Sequence, residues 1–178
     1  MRLNKPKFWD RPTISFWSIV LFPLSILYLF ISLIIRFLKY EKKFSVPIVC
    51  IGNIYLGGTG KTPTTLKLFE LLKNLNLKIA TAKKNYSHQQ DEETLLKKKS
   101  NLIISKKRSD IIVKAIKKGI DLVIFDDGLQ EKKVDYDIKF VCFDCKSWVG
   151  NGFLIPSGPL REKIKSLKKY DGVFLKSS

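Results

Sequence analysis

One long uncharged hydrophobic stretch lies near the start of the chain, and shorter apolar runs follow it. No charged residue occurs from position 12 to position 35, and the run 14–35 is rich in Leu, Ile and Phe. As a helix this run rises about 33 Å, which is enough to cross the hydrocarbon core of a membrane. Because no polar face is evident along it, the pattern favours a membrane helix over a buried core helix.

The flanks of this predicted helix do not fix its orientation. Trp9, Trp17 and Tyr40 lie toward its ends, as interfacial aromatic residues do, and basic residues flank both ends equally. The run is too long for a cleaved signal peptide and lacks a small-residue cleavage site. Two arrangements therefore stay open: the helix spans the membrane with its N-terminus outside, or it bends at Pro23 and lies within one leaflet.

After position 43, short apolar runs alternate with segments of helical periodicity. This alternation predicts an α/β fold, a mostly parallel sheet flanked by helices and preceded by the membrane helix. We expect an anchor with basic flanks over 1–43 and one α/β domain over 44–178. The predicted strands cover 46–51, 77–82, 102–105, 122–125, 138–143 and 172–175. The predicted helices cover 61–74, 92–98, 109–118 and 160–167.

A glycine-rich turn joins the first predicted strand to the first predicted helix. It reads Gly57-Gly58-Thr59-Gly60-Lys61-Thr62, and this context predicts a phosphate-binding loop (P-loop) rather than a tight turn without a ligand. Glycines let backbone N–H groups surround phosphate oxygens, and the helix N-terminus adds partial positive charge. In such loops the lysine reaches the β- and γ-phosphates and the threonine holds Mg²⁺. Lys61 and Thr62 are therefore candidate ligands of Mg-ATP, although Tyr55 stands where the general pattern has glycine.

Two acidic residues end a strongly apolar predicted strand. Asp126 and Asp127 follow the run 122–125 and precede Gly128. Carboxylates at the C-terminal end of a parallel strand lie at the edge where ligands bind, and P-loop enzymes place an Asp there near Mg²⁺. Beside a phosphate loop, this favours a metal-binding role for both residues over a plain Asp-Gly turn.

The chain carries a formal net charge of +17, and Lys greatly outnumbers Arg. An anionic membrane surface, phosphorylated substrates and nucleic acid are the partners that such a charge attracts, and a lysine-rich composition accounts for part of it. No nucleic-acid-binding motif accompanies the charge, so nucleic acid is the least favoured partner. Arg108 and Arg161 are the only arginines after position 36, which suggests that bidentate phosphate contacts are needed there.

Three cysteines, Cys50, Cys142 and Cys145, are present. An odd count without a secretory cleavage pattern argues against a disulfide framework. Cys142 and Cys145 form a Cys-x-x-Cys pair, which leaves a redox role open. Together with Cys50 and His88, this pair could also supply the four ligands of a zinc site. Because Cys50 and Cys142 lie in apolar runs, we expect them to be small buried side chains instead.

Three sequence blocks in order along the chain resemble the lipid A 4'-kinase (tetraacyldisaccharide 4'-kinase) family. The first is 47–63, which includes the phosphate loop, and the second is Asp126-Asp127-Gly128-Leu129-Gln130. The third, 150–162, joins Gly150-Asn151-Gly152 to a Pro-x-Gly-Pro-Leu-Arg-Glu sequence that ends at Glu162. An N-terminal membrane helix preceded by Phe8-Trp9 also fits this family.

The resemblance implies an ATP- and Mg²⁺-dependent kinase of lipid A biosynthesis. Its substrate would be a tetraacyl-glucosamine disaccharide 1-phosphate, phosphorylated at the 4'-hydroxyl to give lipid IVA at the cytoplasmic face of the inner membrane. By the same resemblance, Asp91 is the candidate base for the sugar hydroxyl, and Glu92 supports it. Lys61 and Arg108 are further candidate catalytic residues, and Arg108 matches a family arginine. Glu162 is expected to assist Mg²⁺ or to order Arg161.

The chain departs from the family pattern in places. The family's Ser-Arg-Gly-Tyr-Gly segment is Lys83-Lys84-Asn85-Tyr86-Ser87 here, its His after the Asp-Asp-Gly block is Glu131, and His88 matches no family position. The family is also nearly twice as long, with a second lobe beyond the matched region. We therefore expect the chain to correspond to the N-terminal lobe, as a fragment or with a partner that supplies the other half.

Two other functions stay open at this point. One is a membrane-anchored ATP-binding module, or truncated kinase, that binds nucleotide without turnover. The other is a different P-loop enzyme such as a membrane-associated ATPase, against which the block 156–162 argues.

Overall fold

Strands and helices alternate along the chain, as the hydrophobic pattern predicts. The structure, a computed structural model, describes residues 5–38, 40–85, 90–131 and 133–177. Its strands are β1 (Ile48–Gly52), β2 (Ile79–Lys84), β3 (Leu102–Ser105), β4 (Leu122–Asp126), β5 (Ile138–Asp144) and β6 (Gly172–Lys176). Its α-helices are α1 (Phe16–Leu38), α2 (Lys61–Leu72), α3 (Gln90–Lys99) and α4 (Arg108–Lys117).

The strands form one six-stranded sheet in the order β3-β2-β4-β1-β5-β6. The pairs β2–β3, β2–β4 and β1–β4 are parallel. Each connection between these strands carries a helix, which is what parallel neighbours require. The expected α/β fold with a mostly parallel sheet is therefore confirmed.

By compactness the chain divides into two units. One unit contains residues 40–52 and 60–140, and the other contains residues 1–39, 53–59 and 141–178. The core of the first unit is apolar and includes Ile48, Ala80, Ile111, Val123 and Phe125. Strands β1 and β4 are buried along nearly their whole length, as expected for strands covered on both faces.

Two serines of helix α1 are buried, whereas most of its apolar residues are exposed. Ser18 and Ser25 are 1% and 4% exposed, whereas Trp17, Phe30 and Leu33 are more than half exposed. It is the one helix of the described chain that is long and apolar enough to cross a membrane. The expectation that the helix has no polar face is wrong, because these serines lie seven positions apart on one side.

The buried side of α1 contacts the loop 150–161 within its own unit. Ser25 Oγ donates a hydrogen bond to the Leu154 carbonyl at 2.8 Å and accepts one from the Ser157 N–H at 3.0 Å. Ser157 in turn donates to the Ser18 carbonyl, and Tyr28 donates to the Arg161 carbonyl at 3.1 Å. The helix is therefore hydrogen-bonded to this loop along one side from Ser18 to Tyr28, over about 15 Å of its length.

Two further expectations about this unit are corrected. Trp9 is 6% exposed and its indole N–H donates to the Pro156 carbonyl at 3.0 Å, so it is a core residue and not an interfacial aromatic. The helix predicted over 160–167 is a 3₁₀ helix over Ile164–Lys169. It starts later because Leu160 is held in β-bridges to Tyr55 and Leu154.

Candidate functional site

The phosphate loop ends where α2 begins. Gly60 is the N-cap of α2 and has φ 82°, a left-handed conformation that glycine adopts without strain. Lys61 is the first residue of the helix, and it forms no ion pair with any described residue. Its ammonium is thus available beside the helix N-terminus, as the sequence predicts for a phosphate contact.

Thr62 and Asp126 meet at the C-terminal edge of the sheet. The Thr62 hydroxyl donates to Asp126 Oδ2 at 2.8 Å, and both side chains are buried. The second carboxylate oxygen, Asp126 Oδ1, is buried and accepts no hydrogen bond from the described residues. The sequence predicted that these two residues serve one site, and the fold brings them together across 64 positions of the chain.

Lys83, at the end of β2, lies between two carboxylates. It is 1% exposed, its Nζ is 2.8 Å from Asp126 Oδ2, and it also pairs with Glu92. The pairing of β2 with β4 aligns Ala82 with Phe125, so the next residues on the two strands lie side by side. A lysine is seldom buried unless its charge is paired, and both carboxylates pair with Lys83 here.

The charges of this cluster depend on one another. Burial raises the pKa of Asp126, and Lys83 and Thr62 only partly oppose that shift. Burial alone would lower the pKa of Lys83, but Asp126 and Glu92 outweigh it and raise that pKa. Lys83 is therefore an ammonium at neutral pH, and its charge favours the ionised form of Asp126.

Asp127 forms a constrained turn after β4. Its φ is 68°, a left-handed value that is uncommon outside glycine, and its N–H donates to the Ile51 carbonyl at 2.9 Å. The guanidinium of Arg108 donates to the Asp127 carbonyl at 2.7 Å and pairs with Glu131 at 3.3 Å. Arg108 is 8% exposed, so these contacts fix the turn that positions both aspartates.

The acidic N-terminal turn of α3 lies beside this cluster. Asp91, Glu92 and Glu93 occupy its first turn, where carboxylates are favoured by the helix dipole. Glu92 reaches Lys83, whereas Asp91 is exposed. Glu92 is therefore held by Lys83, whereas Asp91, the predicted base that precedes it, faces solvent.

The start of the phosphate loop belongs to the other unit. There Tyr55, which stands where the general pattern has glycine, is 1% exposed and hydrogen-bonds to Asp10 and Lys5. The side-chain amide of Asn53 donates to the carbonyls of Tyr55 and Gly57 at 2.6 and 3.2 Å. Residues 57–59 thus follow a segment that is fixed by side-chain contacts to the stretch before α1.

The predicted residues Arg161 and Glu162 also lie in that unit. The backbone N–H of Arg161 donates to the Ile54 carbonyl at 2.7 Å, which ties the loop 150–161 to the start of the phosphate loop. Glu162 accepts a hydrogen bond from the Tyr170 hydroxyl at 3.0 Å.

Lys83 is the site residue that the sequence reasoning missed. In the sequence, Lys83 was noted only as part of a segment that departs from the family pattern. Its position directly after an apolar predicted strand was a weak signal that it belongs to the site. Tyr86 and His88 lie outside the described residues. Among the described residues, no group of three or more His, Cys, Asp or Glu side chains is placed to hold a metal ion.

The cysteines occupy different environments. Cys50 and Cys142 are buried, as predicted, and Cys145 is exposed. None of the three forms a disulfide with another described residue, and the described residues do not assemble them into a zinc site.

Comparison with known proteins gives one family. The family model described as tetraacyldisaccharide-1-P 4'-kinase matches residues 17–178. A tetraacyldisaccharide 4'-kinase of Pelagibacter ubique is 46% identical over 98% of this chain and 55% of its own length. One of Allorhizobium ampelinum is 34% identical over 92% of this chain and 52% of its own length.

A solved structure agrees with the sequence matches. Crystalline LpxK from Aquifex aeolicus, in complex with ATP, superposes with a TM-score of 0.77 at 26% identity, covering 89% of this chain and 58% of that one. The chain thus spans about half the length of the curated relatives it matches.

Proposed function

Because the chain belongs to the tetraacyldisaccharide-1-P 4'-kinase family, we propose that it uses ATP to phosphorylate the 4'-hydroxyl of a tetraacyl-glucosamine disaccharide 1-phosphate. The product would be lipid IVA, an intermediate of lipid A biosynthesis. The observation that carries the proposal is the Thr62–Asp126 contact beside the N-terminus of α2, which joins the phosphate loop to the acidic strand end. The whole activity is proposed here for a chain that covers about half of its relatives' length.

ATP is the proposed phosphate donor. The backbone N–H groups of residues 57–60 would surround its phosphates, and Lys61 would neutralise the β- and γ-phosphate oxygens. The availability of the Lys61 ammonium at the start of α2 supports this role. The ATP held by the related Aquifex protein supports the same nucleotide for this chain.

Mg²⁺ fits the oxygen atoms that this site offers. Hydroxyl and carboxylate oxygens are its preferred protein ligands, and phosphate oxygens and waters complete its shell. The buried, unpartnered Asp126 Oδ1 and the neighbouring Thr62 hydroxyl are such atoms. We propose that these two residues hold the ion, with Asp127 and Glu162 as further candidates, and that the ion when bound neutralises phosphate charge.

The acceptor side of the site is proposed from the α3 turn. Asp91 is the candidate base for the sugar hydroxyl, and its exposure supports access to a substrate. Glu92 supports the turn through Lys83. Arg108 acts by holding the Asp127 turn, rather than through a fork that is open to phosphate, because its guanidinium is occupied by Asp127 and Glu131.

The lipid substrate calls for a membrane site, and α1 supplies the surface for it. Its exposed apolar side is what an interfacial helix buries in acyl chains. Irregular backbone is not tolerated among lipid tails. The side of α1 that is hydrogen-bonded to the loop 150–161 from Ser18 to Tyr28 therefore stays out of the hydrocarbon core. We therefore favour a helix lying in one leaflet, on the cytoplasmic face of the inner membrane where ATP is present.

The direct test is phosphate transfer by the membrane-inserted chain. We expect Mg-ATP and the tetraacyl disaccharide 1-phosphate to give a lipid heavier by one phosphate in mass spectrometry. Lys61→Ala should abolish the gain, since the γ-phosphate loses its ammonium partner. Lys67→Ala is the matched control, because Lys67 is an exposed lysine of the same helix whose ion-pair partner among the described residues is the surface residue Glu70. Phosphate transfer by Lys61→Ala equal to that of the native chain would contradict the proposal.

A nucleotide-binding module without turnover is the second candidate, because the Thr62–Asp126 contact supports nucleotide binding and does not by itself require transfer. It would bind Mg-ATP in a Lys61-dependent way and give no phosphorylated lipid in the same assay. Hydrolysis of ATP that does not depend on the lipid would instead favour an ATPase.

A further inference from the structure

Lys83 introduces a positive charge into the cluster that the proposed nucleotide site uses. The cluster contains two carboxylates, Asp126 and Glu92, and one ammonium. With both carboxylates ionised, the three side chains carry a net charge of −1, and the two carboxylates alone carry −2. ATP is itself strongly anionic, so the local charge decides how well its phosphates are accepted.

The geometry indicates that Lys83 is fixed in this place. Its side chain is 1% exposed and lies between Asp126, which is fully buried, and Glu92, which is 44% exposed. Thr62 and Lys83 both approach the same oxygen, Asp126 Oδ2. The remaining oxygen of Asp126 is left for another cation or donor. Burying a lysine costs free energy unless its ammonium is paired, and Asp126 and Glu92 pair it here.

We propose that Lys83 is a resident cation of the nucleotide site, which neutralises the Asp126–Glu92 pair so that nucleotide phosphates bind even without a divalent metal. It is a positioning residue, acting on the phosphates through the carboxylates it holds. It also ties the first turn of α3, with Asp91, to the strand that bears Asp126. The inference rests on the proposed nucleotide site, and it concerns binding rather than transfer.

Affinity for a fluorescent ATP analogue, with Mg²⁺ and with EDTA, tests this inference on the full chain without any lipid. The quantity of interest is the ratio of the dissociation constant in EDTA to that in Mg²⁺. We expect a modest ratio for the native chain and a ratio about tenfold or more higher for Lys83→Met, since one unit of charge is lost beside the phosphates. Lys97→Met, at an exposed lysine of α3, should leave the ratio unchanged.

A second variant separates charge from structure. In Lys83→Met/Glu92→Gln the local charge returns to −1, so the ratio should fall back toward the native value. A purely structural role for Lys83 would not produce this recovery. If Lys83→Met alone does not fold, the ratio is measured on the double variant instead. That variant removes one of the two carboxylates that the loss of Lys83 leaves unpaired.

The outcomes are distinct. An unchanged ratio in Lys83→Met, or no recovery in the double variant, would overturn the inference while leaving the kinase proposal intact. A native chain that binds the analogue only with Mg²⁺ would also overturn it. A native chain that binds no analogue in either condition would overturn both this inference and the proposed function.

Discussion

At the scale of single residues, the sequence predicted partners that are defined by motifs and missed the one that is not. Thr62 and Asp126 each belong to a pattern with a known place in a parallel sheet, so their meeting was predictable. Lys83 belongs to no such pattern. Its burial follows from the register of β2 against β4 and from the position of Glu92 on α3, and neither can be read from local sequence.

The cysteines allow a prediction at the same scale. We expect Cys145 to react quickly with a maleimide in the native chain, whereas Cys50 and Cys142 react only after unfolding. Both are at most 1% exposed, and burial raises the pKa of the Cys50 thiol, which lowers its thiolate fraction further. Mass spectrometry of the labelled chain counts the modified thiols. Cys145→Ser should remove the rapid reaction, and two rapidly labelled sites in the native chain would contradict the burial described here.

At the scale of elements, boundaries were predicted to within a few residues where hydrophobic periodicity sets them. Strand β3 matches its predicted range, and α2 begins at the predicted Lys61. The polar side of α1 was missed because two serines among many apolar residues do not stand out. They become informative only when the loop 150–161 lies against them, which is a long-range contact.

The proposed position of α1 within one membrane leaflet can be measured. We expect Thr13→Cys, just before α1, to be labelled from the same side of sealed inside-out membrane vesicles as Cys145. The reason is that the N-terminal part of α1 is hydrogen-bonded to the loop 150–161, in the same unit as Cys145. A membrane-impermeant maleimide provides the measurement. The single variant Cys145→Ser and the double variant Thr13→Cys/Cys145→Ser assign the two signals.

Labelling of position 13 only after the vesicles are permeabilised would show that α1 crosses the membrane. That result would remove the support for a helix lying in one leaflet. It would leave the contacts among Thr62, Lys83 and Asp126 unaffected, because these three residues belong to the other compact unit.

At the scale of the whole molecule, the sequence predicted the fold class, whereas the order of the strands is known only from the structure. Alternating strands and helices predict a parallel sheet, but the placement of β4 between β2 and β1 depends on how the strands pair. That order brings Asp126 next to both Lys83 and the end of β1. The net charge of +17 suits anionic lipids and a phosphorylated substrate, and it does not distinguish between them.

The central claim is that this chain holds an ATP site built on the phosphate loop and Asp126. Isothermal titration of Mg-ATP into the native chain, Asp126→Asn and Asp121→Asn tests it most directly. Asp121 precedes the opposite end of the same strand and accepts a hydrogen bond from the Lys78 N–H, which asparagine can preserve. We expect the native chain and Asp121→Asn to bind alike, and Asp126→Asn to bind about tenfold or more weakly, as the loss of a charged contact predicts. Equal affinity in all three proteins, or no binding by the native chain, would contradict the account.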